Sequence, residues 1–143
     1  MARGRNAPAR LSDKDYAALA EFRHQIRRFL AARAKAARRA GIDPQQYQVL
    51  LVLKTHEKNR PASIREIAEA LLLRHHSAVE LVDRMARHRF VRRRRNQEDR
   101  RVVTVEILPK GEAVLRSLAI SNREELTGLG RDLLRALQAA LGE

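Results

Sequence analysis

Cysteine and tryptophan are absent from the 143 residues, and no long hydrophobic run is present. Without cysteine, the chain forms no disulfides and has no thiolate nucleophile, cysteine-based zinc site or thiol redox sensor. The longest apolar runs, such as Val49 to Leu53, are far shorter than the ~20 residues that cross a bilayer. No apolar stretch follows the arginines near the N-terminus, so we expect no secretory signal, no membrane span and a cytoplasmic location.

Acidic residues and aromatic rings are also scarce. The chain has only 17 Asp and Glu against 30 Lys and Arg, which gives a formal net charge of +13. Such an excess favours a polyanionic partner, either nucleic acid or, less often, an anionic membrane. Residues 84–101 carry nine arginines and two acids, whereas residues 124–143 carry four acids and two arginines. Two tyrosines and three phenylalanines are poor means for stacking unpaired bases, so the composition favours double-stranded DNA.

The N-terminal third of the chain has one helical pattern. Residues 1–11 lack periodicity and predict a loose basic arm. Apolar residues then recur every three or four positions over residues 13–40, which predicts an amphipathic helix that Ser12 or Asp13 can cap. Such a helix is about 40 Å long, more than one small core needs, so we expect it to pack against a second subunit.

A dense cluster of helix signals follows. Gly41 suits the left-handed position after a helix, Asp43 suits an N-cap, and Pro44 suits the first helical turn. Gln46 stands three residues after Asp43, as in a capping box. The next helix, predicted over 44–57, is apolar on most sides and is expected to be buried.

Two shorter helices come next. Ser63 and Glu66 form a capping-box pattern, and the apolar stripe behind them is Ile64, Ile67, Ala68 and Leu71. A second helix is predicted from about His75, with a stripe made of Ala78, Leu81, Val82 and Met85. Residues 102–107 then alternate between the two faces of a strand, and 91–95 can pair with them across a polar tip at 96–101.

Short helix, turn, helix and basic ribbon is the order of a winged helix-turn-helix, whose second helix enters the major groove of DNA. Residues 43–118 resemble the MarR (multiple antibiotic resistance regulator) family of bacterial transcription factors. The segments that carry the resemblance are Asp43-Pro44-Gln45-Gln46-Tyr47-x-Val49-Leu50, Ile67-Ala68-Glu69, Leu81-Val82-Asp83-Arg84-Met85, Val91-Arg92-Arg93, Glu98-Asp99-Arg100-Arg101 and Pro109-Lys110-Gly111. The sequence departs from the family pattern in three places. Leu108 replaces a Thr before the next helix, and Arg74 replaces a Ser before the recognition helix. The outward face of that helix reads His75-His76-Ser77-Ala78-Val79-Glu80, where many members have small polar residues and a basic one.

The resemblance implies a mainly helical fold with a small β-ribbon wing and long dimerisation helices at both ends. It further implies a sequence-specific homodimeric regulator of transcription, with repression the commoner output, released by a small molecule. The predicted parts are the arm (1–11), an N-terminal dimerisation helix (12–40), a DNA-binding lobe (41–108) and C-terminal helices that complete the dimer (109–143).

The candidate DNA contacts come from the helix-turn-helix and the wing. A capped helix N-terminus offers N–H groups to phosphate, polar residues of the second helix reach base edges, and wing arginines suit the backbone or a narrow minor groove. We expect Arg101 to be the minor-groove residue, and the resemblance implies that Asp99 orients it. The candidates are Ser63, Arg74, His75, His76, Ser77, Val79, Glu80, Arg84, Arg94, Arg95, Asp99, Arg100 and Arg101.

Two features of the second helix have more than one interpretation. Glu80 is a carboxylate directed at a polyanion, so it could accept from cytosine N4 or pair with Arg84 one turn later. His75 and His76 are adjacent and do not converge on a helix, and no third ligand is evident, so we expect no metal site.

The remaining expectations concern the ends of the chain. Gly128 and Gly130 should weaken the C-terminal helix locally. The residues expected at a dimer interface are Tyr16, Leu19, Leu129, Leu133, Leu137 and Leu141. Tyr16, Phe22 and Tyr47 could line a pocket for a small aromatic or anionic ligand, although ordinary core packing explains them equally well.

No catalytic constellation is present in the sequence. We find no Ser/His/Asp spacing, carboxylate dyad, glycine-rich phosphate loop or metal quartet, so we expect neither an enzyme nor a cofactor. The alternative to a specific regulator is a non-specific basic architectural protein associated with DNA or RNA.

Overall fold

The computed structural model of this chain describes residues 10–56 and 60–143. The predicted basic arm lies almost wholly outside the described residues. The elements are α1 (Asp13–Arg39), α2 (Pro44–Lys54), α3 (Ile64–Leu71), α4 (His75–Arg87), β1 (Val91–Arg95), β2 (Val103–Ile107), α5 (Pro109–Glu125), a π-helical turn (Leu126–Gly130) and α6 (Arg131–Leu141). This confirms the predicted fold class, mainly helical with a two-stranded wing and long helices at both ends. No described helix combines the length and apolarity that a membrane span requires.

The described residues divide into two compact units. The central unit comprises residues 33–123, and the terminal unit comprises residues 10–32 together with 124–143. The central unit therefore includes the last turns of α1 and nearly all of α5, which the predicted division assigned to the dimerisation helices.

Local signals set the starts of α1 and α2. Ser12 caps α1: its Oγ accepts from the N–H of Asp15 at 3.3 Å, and Asp15 Oδ2 accepts from the N–H of Ser12 at 2.7 Å. Gly41 takes a left-handed φ of +85° after α1, as predicted. Gln46 Oε1 then accepts from the N–H of Asp43 at 3.2 Å, which completes the predicted start of α2.

Helix α2 ends at Lys54, three residues before the predicted end at 57, which itself lies outside the described residues. Thr55 Oγ1 donates to the carbonyl of Val52 at 2.7 Å, and Nδ1 of His56 lies 2.9 Å from the same oxygen. The N–H of His56 bonds instead to Leu53 O at 3.2 Å, a tighter turn that closes the helix. Side-chain competition for one carbonyl thus ended a helix whose apolar pattern favoured continuation.

The core of the central unit is formed where α2, α3, α4 and α5 meet the wing. Its largest fully buried side chains are Leu50, Ile67, Leu81, Met85, Val49, Val82, Val91 and Val105. The predicted stripes of α3 and α4 supply Ile67, Leu81, Val82 and Met85, so the 3.6-residue period correctly identified the buried faces of both helices.

The two strands form one antiparallel ribbon, with Val91 opposite Ile107 and Arg95 opposite Val103. Gly111 fixes the ribbon against the start of α5. A Cβ at Gly111 would overlap the carbonyl oxygen of Phe90 and lie 3.1 Å from Ile107 Cγ2. Only glycine therefore allows α5 to approach the base of the wing this closely.

The terminal unit has much less buried apolar surface. Within it, Arg28 of α1 pairs with Asp132 of α6 at 4.0 Å, and Ala136 is buried. The two glycines that were predicted to weaken the helix lie in the π-helical turn. The large apolar side chains that this unit leaves exposed are Leu11, Tyr16, Leu19, Leu30, Leu126, Leu134, Leu137 and Leu141.

Candidate nucleic-acid interface

The N-terminus of α3 is held by a reciprocal cap. Ser63 Oγ accepts from the N–H of Glu66 at 3.1 Å, and Glu66 Oε1 accepts from the N–H of Ser63 at 3.4 Å. Ser63 also pairs with Thr104 of β2 through an isolated β-bridge. The cap therefore attaches the positive end of the α3 dipole to the wing.

A tight turn joins α3 to α4. Leu72 takes a left-handed φ of +56°, and the N–H of Leu73 bonds to Ala68 O at 2.9 Å, which closes α3. Leu72 is 93% exposed at the turn. Arg74 occupies the N-cap of α4 without a side-chain cap. Helix α4 therefore begins at His75, as predicted.

Helix α4 has one buried and one solvent-facing side. Ala78, Leu81, Val82 and Met85 are buried. The helical period of about 100° per residue places the opposite side at His76, Glu80, Arg84 and Arg87, all exposed. Ser77 and Val79 are half-buried on its flanks. The candidate base-reading residues thus lie on or beside one continuous outward face.

Ion pairs attach the wing to the helices and to itself. Asp83 of α4 pairs with Arg93 of β1. The carboxylate of Glu106 in β2 forms ion pairs with Arg92 at 2.6 Å and with Arg94 at 3.4 Å. The strand register places these side chains across the ribbon from one another. Arg94, a predicted DNA contact, is therefore neutralised in part by Glu106, although its side chain stays 58% exposed.

The wing tip holds a hydrogen-bonded turn. Asp99 Oδ1 accepts from the backbone N–H of Arg101 at 3.0 Å and from its Nε at 3.2 Å. The Arg101 side chain nevertheless remains 92% exposed. Arg95 Nη1 donates to the carbonyl of Arg100 at 3.3 Å. Asp99 thus contacts Arg101 as the family resemblance implies, and its carboxylate holds the guanidinium through Nε and, at 3.5 Å, through Nη2, although the side chain as a whole stays exposed.

Candidate residues from α3, α4 and the wing line one groove. A cavity of about 320 Å³, which we name the reading groove, lies among α3, α4 and the wing. The candidates that line it are Ser63, His75, Val79 and Arg101. Ser63 and Arg101, which are 38 positions apart in sequence, are therefore brought to one concave surface.

Two further arginines of the reading groove were missed by the sequence interpretation. Arg65 and Arg93 also line it. Arg65 occupies the first turn of α3, two residues after the cap, and this position was itself a usable signal. Arg93 could not be separated from its neighbours in the arginine run, because the strand register decides which face it takes.

The unit that contains the reading groove is strongly basic. The central unit carries 21 Lys and Arg against 10 Asp and Glu, a formal charge of +11, whereas residues 10–32 and 124–143 carry seven of each. Nearly all of the excess positive charge therefore belongs to the unit that presents α4 and the wing.

His56 and Glu66 form a titratable pair between the end of α2 and the first turn of α3. Nε2 of His56 lies 2.9 Å from Glu66 Oε2. The carbonyl of Val52, and after it Glu66, raises the pKa of His56 above its ordinary 6.5. The hydrogen bond from His56 is the main cause that lowers the pKa of Glu66 below 4.5. The pair links the end of α2 to the residue that caps α3.

The predicted pocket and interface residues lie in different units. Tyr47 is buried in the central unit, where the guanidinium carbon of Arg33 stands 5.7 Å from its ring centre. Tyr16 is exposed and Phe22 is half-buried in the terminal unit. Of the predicted interface residues, Tyr16, Leu19, Leu137 and Leu141 are exposed, while Leu129 and Leu133 are half-buried. The ligand pocket and the dimer interface stay predictions.

Comparison with known proteins finds a similarity to one family in the central segment. Residues 40–102 match the model of the MarR family. The match covers 63 of the 143 residues, so this segment is similar to the MarR family. A Bacillus subtilis protein described as the uncharacterized HTH-type transcriptional regulator YsmB is 31% identical over 64 residues, and the match spans 45% of this chain and 44% of that protein.

Solved MarR-type structures share the fold over most of the chain. AbsC, a MarR family transcriptional regulator from Streptomyces coelicolor, is 22% identical with a TM-score of 0.79 over 93% of each chain. MepR of S. aureus, solved in complex with DNA, is 18% identical with a TM-score of 0.61, over 85% of this chain and 81% of that one. The MarR fold therefore includes the long helices on either side of the matched segment.

Proposed function

We propose that this protein is a sequence-specific, double-stranded DNA-binding regulator of transcription that acts as a homodimer. The observation that carries the proposal is the reading groove, where the capped N-terminus of α3, the start of α4 and Arg101 of the wing converge. A convex helix flanked by an arginine-bearing ribbon matches the major groove and the adjacent backbone or minor groove. The charge of +11 on the central unit supplies attraction to phosphate.

The rigid attachment of the wing supports sequence-specific binding. The Ser63–Thr104 bridge and the Asp83–Arg93 ion pair connect the ribbon to α3 and α4. Pre-organised contacts lose less entropy on binding than mobile ones do. The same fold in MepR has been solved with DNA bound, which favours the same partner here.

The homodimer is proposed from the apolar surface of the terminal unit. Leu134, Leu137 and Leu141 of α6 are exposed at 54%, 37% and 65%. Side chains of this kind on a regular helical face are buried when a second copy packs against them. A symmetric dimer would present two α4 helices to successive major grooves about 34–36 Å apart on a pseudo-palindromic site.

The test is a selection of duplexes from a randomised library by the full chain. We expect an enriched pseudo-palindrome whose half-sites are about one helical turn apart. Binding to the enriched duplex should exceed binding to random duplex by about a thousandfold or more at physiological salt. A steep salt dependence with no enriched sequence would contradict the proposal and favour a non-specific architectural protein.

Repression and ligand release are the finer parts of the proposal. A bound dimer needs only to overlap a promoter in order to block it, so we expect repression in a bacterial cytoplasm. Transcription in vitro from a promoter that contains the selected site should fall as protein is added.

For the ligand, an aromatic carboxylate such as benzoate should lower affinity for the selected duplex, and substitution of Tyr47 by Ala should reduce that response. Activation of the promoter, or affinity that benzoate and similar anions leave unchanged, would contradict these finer parts.

A further inference from the structure

The acidic residues of the central unit are mostly paired with basic neighbours. In the described part of that unit, six of the nine Asp and Glu side chains form ion pairs: Glu66, Glu69, Asp83, Asp99, Glu106 and Glu112. Pairing reduces the repulsion that each carboxylate would exert on a nearby phosphate. Asp83, Asp99 and Glu106, which lie on or beside the wing, are thus paired before any DNA is bound, whereas Glu98 at the wing tip is paired with no described residue.

Glu80 departs from this arrangement at the position where repulsion would matter most. It is exposed on the outward face of α4, between His76 and Arg84, which are one turn away on either side. No described basic side chain, Arg84 included, lies within ion-pair distance of its carboxylate. Asp83, only three residues further on, is paired with Arg93. The carboxylate of Glu80 is therefore available to a group outside the chain.

The chemistry of base edges selects one partner for such a carboxylate. An unprotonated carboxylate only accepts hydrogen bonds. In the major groove, guanine presents two acceptors, thymine presents O4, and adenine presents N7 beside its amino group. Cytosine presents its N4 amino donor without an adjacent acceptor on the same base. An acceptor-only side chain thus meets the least repulsion at cytosine.

We propose that Glu80 is a specificity-determining residue that accepts a hydrogen bond from the N4 amino group of a cytosine in each half-site. The inference rests on the proposed function and names the base that one of its residues reads. Glu80 costs some affinity for every sequence through repulsion of phosphate, and the contact to cytosine offsets this cost only on the correct site. It therefore contributes more to discrimination than to total affinity.

The test compares the sequences that four full-length proteins enrich from one randomised duplex library: wild type, Glu80→Ala, Glu80→Gln and Glu98→Gln. Glu98 is a matched control, because it is exposed on the wing and forms no ion pair with a described residue. Its substitution removes the same charge from a different element. Because Glu80 is exposed, its variants should keep the wild-type melting temperature, which circular dichroism checks.

For the wild type, we expect cytosine at one position of each half-site, preferred by about tenfold over the other bases. In Glu80→Ala, this preference should fall below about twofold at that position alone, while affinity for random duplex rises. In Glu80→Gln, the preferred base should change towards adenine, which Gln contacts through N6 and N7. Glu98→Gln should retain the wild-type motif.

Two outcomes would overturn the inference, and they differ from each other. If the wild type enriches a motif that Glu80→Ala leaves unchanged, Glu80 acts only through general repulsion and the proposed regulator stands. If the wild type enriches no motif at all, the proposed function fails, and the role of Glu80 fails with it.

Discussion

The central and terminal units differ in both charge and burial. In the described residues, nineteen buried apolar side chains pack together as the main core, and all of them belong to the central unit. This unit also carries a formal charge of +11. The terminal unit has no net charge, and it contains eight of the eleven exposed large apolar side chains. One unit thus has its own core and most of the excess positive charge, whereas the other leaves many large apolar side chains exposed. In the proposed function, DNA binding belongs to the first unit and dimerisation to the second, in keeping with their different physical properties.

The largest expected effect follows from the apolar surface of α6. Replacement of Leu134 and Leu137 by Glu should convert the proposed dimer into a monomer, because burial of two carboxylates without partners is prohibitive. Loss of the second reading unit should weaken binding to the selected duplex by a hundredfold or more. Analytical ultracentrifugation and gel-shift titration measure the two effects.

A control in the other unit makes this test specific. Leu51→Glu introduces the same change at an exposed position of α2 and should leave the dimer intact. If the α6 variant remains dimeric, the terminal unit is not the dimer interface and the comparison between the two units loses its functional meaning.

The second prediction compares one glycine from each unit. Gly111→Ala should reduce the free energy of unfolding by about 1–3 kcal/mol, because its Cβ would overlap Phe90 O where α5 meets the wing. Gly128→Ala, which meets no atom within 4 Å, should be neutral or stabilise the helix by up to about 1 kcal/mol. Urea unfolding measures both, and equal effects at the two sites would refute the packing argument.

The third prediction concerns the exposed arginine of the wing tip. Arg101→Ala should weaken binding to the selected duplex by about tenfold or more, because a guanidinium inserted in a narrow minor groove is lost. The melting temperature should not change, since the side chain is 92% exposed. Arg116→Ala removes the same charge from α5 and should cost much less. Unchanged affinity of the Arg101 variant in a gel-shift titration would exclude the assignment.

The smallest expected effect is a pH dependence of the central unit. The carbonyl of Val52 and, after it, Glu66 raise the pKa of His56, so these contacts stabilise the fold fully below pH 6.5, and their contribution is lost as the pH rises through the higher folded pKa. The lowered pKa of Glu66 adds a contribution that is present above pH 4.5 and lost as the pH falls further. The pair therefore stabilises most between these two values, by less than about 1 kcal/mol because it is partly exposed.

Glu66→Gln isolates this effect. Glutamine preserves the capping box with Ser63 but removes the charge that faces His56. Unfolding free energies measured from pH 4 to pH 9 should show a weaker decline above pH 6.5 in this variant than in the wild type. Identical pH profiles would mean that the pair contributes nothing measurable.

Much of the fold was predictable because its signals are local. Gly41, the Ser63–Glu66 box and the apolar stripes of α3 and α4 act over three or four residues, and the structure has each of them where it was predicted. The end of α2 was predicted wrongly, because the side chains of Thr55 and His56 took the Val52 carbonyl. The spacing of apolar residues contains no information about hydrogen bonds from side chains to a backbone carbonyl.

The candidate site was only partly predictable. Residues such as Ser63 and His75 follow from their positions at helix starts, so the sequence was sufficient to find them. The arginines of the wing could not be separated in this way. Arg93 lines the reading groove and pairs with Asp83, whereas Arg94 pairs with Glu106. Strand register and contacts across the ribbon decide these roles.

The sequence by itself determined the order of the elements, their caps, their buried faces and the excess of positive charge, because each depends on neighbours within one helical turn or on composition. Only the tertiary structure decided which charges are already neutralised, which glycine is needed for close packing and which acid on α4 stays unpaired. Those properties depend on contacts between residues tens of positions apart, whose geometry is set when the helices and the wing pack together.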